Sequence, residues 1–177
     1  LADYNALHAW SVEQPEAFWQ HVWDFCGVVG EPGDTVLTRR DRFQDTHWFP
    51  QARLNYAENL LHRNDTHPAL ISVLEDGTRH EVSYADLRVA AGKVAAQLLA
   101  AGVKPGDRVA GYMPNRIETV ISALGAAWIG AVWSSCSPDF GVQGVLDRFG
   151  QIEPKVLFVA DGYFYGGKTF DCLEKVK

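Results

Sequence analysis

Apolar positions are grouped most tightly between Arg108 and Pro138, in the stretch RVAGYMPNRIETVISALGAAWIGAVWSSCSP. Val109 to Met113 is a short run rich enough in strand-forming residues to predict a buried strand, and Pro114 and Asn115 stop it. Ile117, Val120, Ile121, Leu124 and Trp128 then recur at helical spacing. Asn115 is the expected N-cap of that helix, Glu118 its capping-box partner, and Gly130 the left-handed residue past its end. A second buried run, Ala131 to Ser134, follows directly. Strand, helix and strand joined this closely predict a βαβ unit with parallel pairing, the centre of an open, mostly parallel α/β sheet.

The flanking patterns extend this unit. Ala69 to Leu74 and Arg79 to Val82 read as strands around Glu75-Asp76-Gly77-Thr78, which carries the Asp-Gly hairpin signal. Ser83 and Asp86 form a capping pattern for a helix to about Ala101, with Leu87, Ala91, Val94 and Leu98 on one face and Gly102 beyond its end. On the far side, Ser137 is expected to cap a third helix with Pro138 at its first position and an apolar stripe of Val142, Val145, Leu146 and Phe149. Val156 to Ala160 is a further buried strand, and the residues after Gly167 read as the start of another helix, as in a truncated domain.

The first part of the chain follows a different rule. Up to about Leu61 it is rich in aromatic residues and holds Trp10, Trp19, Trp23 and Trp48. Pro15 suits the first turn of a helix whose Phe18, Val22 and Phe25 share one side and are expected to be core, widened by Trp19, Trp23 and Cys26. From Gly27 to Phe49 no period is sustained, and Asn55 to Arg63 reads as one more short helix. A polar joint, His62 to Pro68, divides the expected architecture into a helical, aromatic-rich extension, 1–67, and the first part of an α/β domain, 68–177.

Composition narrows the function. The net charge of -6 excludes the basic footprint of a nucleic-acid binder. No apolar run approaches membrane-spanning length, so a soluble, cytoplasmic protein without membrane partners is expected. Cys26, Cys136 and Cys172 are odd in number and far apart, which fits free thiols in a reducing compartment. The histidines show no metal-ligand spacing, and packing or surface roles account for them.

Several stretches carry a resemblance. WFPQARLNYAENLL, Trp48 to Leu61, is similar to the end of the N-terminal extension in the short-chain branch of the AMP-forming acyl-CoA synthetases, members of the adenylate-forming superfamily. Within that branch, LNYAENLL at Leu54 to Leu61 and SSCSPDFG at Ser134 to Gly141 most resemble the members that activate acetoacetate. The resemblance implies a two-step reaction. The acid attacks the α-phosphorus of Mg-ATP to give an acyl-adenylate and pyrophosphate, and the thiol of CoA then displaces AMP. Such chemistry asks the protein for positioning and charge stabilisation rather than a nucleophile. The family's phosphate loop, adenine-contacting stretch, ribose-binding Asp and C-terminal Lys have no counterpart in these 177 residues. No catalytic residue is therefore assigned, and the chain by itself is expected to be inactive.

What remains to place is CoA. In the acetyl-CoA branch the loop corresponding to DGYFYGGKT, Asp161 to Thr169, carries basic residues that meet the nucleotide phosphates; here it keeps Lys168, with Tyr165 available to stack. Ser135, Cys136 and Ser137, at the end of a predicted strand, are the other CoA-channel candidates that the resemblance implies. Two readings compete at the loop. Gly162, Gly167, Lys168 and Thr169 also satisfy G-x-x-x-x-G-K-[ST], although bulky Tyr163, Phe164 and Tyr165 stand where amides would wrap a phosphate. An ordinary glycine-rich turn with a solvated lysine explains the same residues. A P-loop nucleotide-binding protein and a non-catalytic interaction module therefore stand beside the synthetase reading.

Overall fold

The computed structural model describes residues 3–39 and 41–173. They fall into two units, Leu1–Asn55 and Tyr56–Lys177. In the first, Asp3 caps helix α1 (Tyr4–Glu13) by accepting a hydrogen bond from the Ala6 N–H at 2.9 Å. Helix α2 (Pro15–Phe25) starts on Pro15 as the sequence predicts. Four short strands follow: β1 (Gly30–Glu31), β2 (Leu37–Thr38), β3 (His47–Trp48) and β4 (Arg53–Leu54), with β1 paired to β4 and β2 to β3, both antiparallel. Aromatic edges link these pieces, with Trp10 on Phe18 at 5.3 Å and Trp19 on Trp48 at 5.7 Å between ring centroids. The expected core face of α2 is only partly realised. Phe18 and Val22 are half-buried, whereas Phe25, on the last turn, is 83% exposed and stacks on His21.

The second unit opens with helix α3 (Tyr56–Leu60) and the hairpin β5 (Pro68–Val73) and β6 (Arg79–Ser83). The division between units thus falls ahead of the polar joint, because Ala57 and Leu61 are buried with Leu87, Ala91 and Leu124, and the Leu61 carbonyl accepts from Arg88 at 2.5 Å. Ser83 caps helix α4 (Tyr84–Ala100) through the Asp86 N–H, as its pattern predicts. Next come β7 (Arg108–Tyr112), α5 (Ile117–Trp128), β8 (Val132–Cys136), α6 (Val142–Ile152), β9 (Val156–Val159), and a second hairpin, β10 (Gly162–Tyr165) and β11 (Lys168–Asp171).

The sheet at the centre has strand order β8-β7-β9, all parallel. Strand β7 is covered on both faces, as an apolar run without alternation requires. Val109 packs with Leu98, Val103, Ala126 and Ala131 on one side, and Ala110 and Tyr112 pack with Val145 and Phe149 on the other. Helices α5 and α6 therefore cover opposite faces. Small residues let the layers close: an added Cβ on Gly125 would come within 2.7 Å of Val94 on α4.

Four local expectations are corrected. Helix α5 begins at Ile117 with Arg116, not Asn115, in the cap position and no side-chain cap; instead Thr119 Oγ1 donates to the Pro114 carbonyl at 2.7 Å. Helix α6 begins at Val142 after Gly141, so Ser137 caps nothing there; its hydroxyl closes a local turn with Asp139. Of the stripe on α6, Val145 and Phe149 are buried while Val142 and Leu146 face solvent. Finally, the residues after Gly167 form β11 rather than a helix, and 174–177 lie outside the described residues.

Candidate CoA-binding cleft

Chain order and strand order together mark one place on the second unit. From β7 the chain moves to β8 on one side, then α6 carries it back past β7 to β9 on the other. The crossover helices that meet β7 and β9, α5 leaving the one and α6 entering the other, lie on opposite faces, and a crevice opens beyond the strands' C-terminal ends, where open α/β sheets hold ligands. A cleft of about 1050 Å³ occupies that position. Pro114, Asn115 and Arg116 after β7 line one side, and Asp161 to Tyr165 after β9 line another, with Glu75 and Asp76 from the β5–β6 turn.

The loop singled out by the sequence is a tight hairpin at this cleft. Gly162 to Tyr165 pair antiparallel with Asp171 to Lys168, and Gly166 and Gly167 make the two-residue turn with φ of 57° and 72°. Two successive left-handed residues are the requirement of a type I′ turn, which glycine meets without strain. The P-loop reading is overturned here, because that motif needs a helix after the loop and the chain supplies β11. Tyr165 and Lys168 are direct register partners beside the turn, Tyr165 being 66% exposed. Lys168 makes no ion pair with another described residue.

The turn amides are already engaged. Glu75 reaches across from the β5–β6 turn, its Oε1 accepting from the Gly166 N–H at 3.1 Å and its Oε2 from the Gly167 N–H at 3.5 Å. Farther along the hairpin, the Tyr163 hydroxyl donates to Asp139 Oδ1 at 2.7 Å, while Ser137 donates to Asp139 Oδ2 at 2.8 Å. Asp139 therefore ties the hairpin to the segment after β8. The carboxylate beside the phenol disfavours its ionisation, and the Tyr163 pKa is pushed up to about 12.

The segment after β8 has its own anchor. Tyr112 is fully buried at the end of β7, and its hydroxyl donates to the carbonyls of Pro138 at 2.8 Å and Phe140 at 3.0 Å. A buried tyrosine needs such partners, so the tyrosine in the apolar run was the one signal of this contact in the sequence. Asp139 and Glu75 carried no comparable signal.

The candidate residues therefore fall into two groups. Tyr165 and Lys168 come together at the hairpin turn. Ser135 is exposed on β8 and Ser137 sits half-buried in the Asp139 turn. Cys136, between them, turns inward and packs with Ala110, Tyr112, Val145, Phe149 and Cys172. Burial pushes its thiol pKa up, the opposite of what a nucleophile requires. None of the three cysteines forms a disulfide with another described residue. Among the described residues no group of His, Cys, Asp and Glu is placed to hold a metal ion, and no helix is long and apolar enough to cross a membrane.

Comparison with known proteins gives this geometry a context. Over residues 4–60 the chain matches the model of the acetyl-coenzyme A synthetase N-terminus. The acetoacetyl-coenzyme A synthetase of Rhizobium meliloti (strain 1021) is 50% identical, and that of Xenopus tropicalis 48%, each match covering 100% of this chain and 27% of the relative. The structure of acetoacetyl-CoA synthetase from Streptomyces lividans superimposes with a TM-score of 0.91 at 46% identity, covering 99% of this chain and 28% of that one. The chain thus spans about 27% of the length of the curated relatives it matches. The AMP-binding enzyme model aligns with residues 58–176, the whole of the parallel sheet and the cleft beside it, so the chain belongs to the AMP-binding enzyme family.

Proposed function

We propose that this chain is the N-terminal portion of a cytoplasmic ligase that joins acetoacetate to CoA while ATP is cleaved to AMP and pyrophosphate. The observation that carries this reading is the match of the entire chain to relatives named acetoacetyl-CoA synthetases. Cysteines outside any disulfide fit a reducing compartment.

In this reading Mg²⁺ accompanies ATP, and the residues that act on the α-phosphate lie outside this chain. The described residues contribute to CoA instead. An anion already sits on the Gly166 and Gly167 amides, Lys168, which has no ion pair to a described residue, offers a cation beside them, and Tyr165 presents an exposed ring to a base. Ser135 and Ser137 are the further candidate hydroxyls at the end of β8, that of Ser137 already donating to Asp139, and Cys136 packs beneath them in the core. Within this reading, 1–67 is the N-terminal extension of such an enzyme.

An acid panel tests the reading. The complete protein, given ATP, Mg²⁺ and CoA, is expected to form AMP with kcat/KM for acetoacetate exceeding acetate and propionate by roughly ten-fold or more. The 177-residue chain alone is expected to form no acyl-adenylate. Preference for acetate, or turnover by the isolated chain, would contradict it.

A further inference from the structure

The Glu75 carboxylate lies where an incoming anion would bind. It is exposed, it makes no ion pair with a described residue, and it accepts hydrogen bonds from the Gly166 and Gly167 amides. Paired amides in a turn form a small concavity that favours an oxyanion, and a carboxylate satisfies it with a single negative charge. A phosphate in the same place carries more charge and a third oxygen, and Lys168 on the adjoining residue is available to it. Glu75 sits in the Leu74–Thr78 turn, closed by the Leu74 N–H to the Thr78 carbonyl at 2.9 Å, so only its own side-chain rotamers need change for it to leave. That turn also forms part of the wall of the cleft.

We propose that the Gly166–Gly167 amide pair is a phosphate seat and that Glu75 is its resident plug, a carboxylate that holds the turn in shape when the seat is free and must leave when a phosphate of CoA enters. The inference rests on the CoA reading for the identity of the phosphate and goes beyond it in assigning Glu75. The competing carboxylate sets the affinity, since each phosphate bound costs the release of Glu75. With Glu75 displaced but still close, like-charge repulsion adds to that cost.

The test uses the 177-residue chain labelled with ¹⁵N, as the parent and as Glu75→Gln and Glu75→Ala. Gly166 and Gly167 amide resonances report the seat directly, and CoA and inorganic pyrophosphate are the probes. In the absence of probe, both substitutions are expected to move those two resonances while leaving the β7 amides in place. Pyrophosphate is then expected to move them again, with an apparent Kd about two- to five-fold tighter in Glu75→Gln than in the parent. CoA is expected to follow the same order.

Unmoved glycine amides in the unliganded variants would overturn the proposal. Equal affinities of parent and Glu75→Gln for pyrophosphate at those amides would overturn the plug while leaving the seat. If pyrophosphate shifts the amides in the expected order and CoA does not bind, the seat and plug stand and the CoA reading fails.

Discussion

The two units put similar apolar content to opposite uses. Among the described residues up to Asn55, none is buried, although this part holds Trp10, Trp19, Trp23 and Trp48. The unit from Tyr56 onward is built from smaller side chains, and it carries all three buried clusters. Large rings joined edge to face give contact without closure. Alanine, valine and glycine on α4, α5 and β7 allow layers to approach until water is excluded. Burial follows from the fit between layers, and ring count alone does not produce it.

That contrast predicts a steep order of mutational effects. The largest is Tyr112→Ala, which removes a buried ring and releases the Pro138 and Phe140 carbonyls. A loss of roughly 3–5 kcal/mol is expected from urea unfolding, accompanied by faster exchange of the β7 amides. Gly125→Ala is next. Alanine is the better helix former, yet its Cβ would meet Val94, so a loss of about 1–3 kcal/mol is expected in place of a gain. A stabilised Gly125→Ala would break the packing argument.

Smaller effects sharpen the picture. The Tyr163 pKa of about 12 lies above the ordinary value of 10.0, so the folded state holds that proton more tightly than the unfolded one. Its stabilising contribution is complete below pH 10.0 and is lost as pH rises toward about 12. Absorbance titration should find the Tyr163 phenol late in the parent, and Asp139→Asn should bring it back toward the ordinary value. Least of all, Phe25→Ala should change stability by no more than about 0.5 kcal/mol, because its ring is exposed in the first unit. A larger loss would show that this unit has a core after all.

Much of the second unit was legible because local and tertiary signals agreed. Ser83 capped its helix, Gly130 adopted the left-handed conformation at the end of α5, and the apolar run at Val109 became the covered central strand. Asn115 and Ser137 misled for a common reason. Both have good capping side chains, but each sits where the chain first leaves a strand, and the helix begins only later. The hairpin at Gly162 defeated its motif because two adjacent glycines satisfy a type I′ turn as readily as a phosphate loop. Of the proposed site, Tyr165 and Lys168 could be picked out in sequence. The contacts of Glu75 and Asp139 could not, since each spans elements far apart in the chain.

The division of labour in the proposed reaction, with this chain seating CoA and the adenylation residues lying elsewhere, is tested most directly by separating the half-reactions in the complete protein carrying Tyr165→Ala and Lys168→Ala together. Acetoacetate-dependent exchange between pyrophosphate and ATP reports the first step without CoA, and thioester formation reports the second. The expected result is unchanged exchange with KM for CoA raised by roughly ten-fold. Loss of exchange in parallel, or an unmoved KM for CoA, would contradict that division.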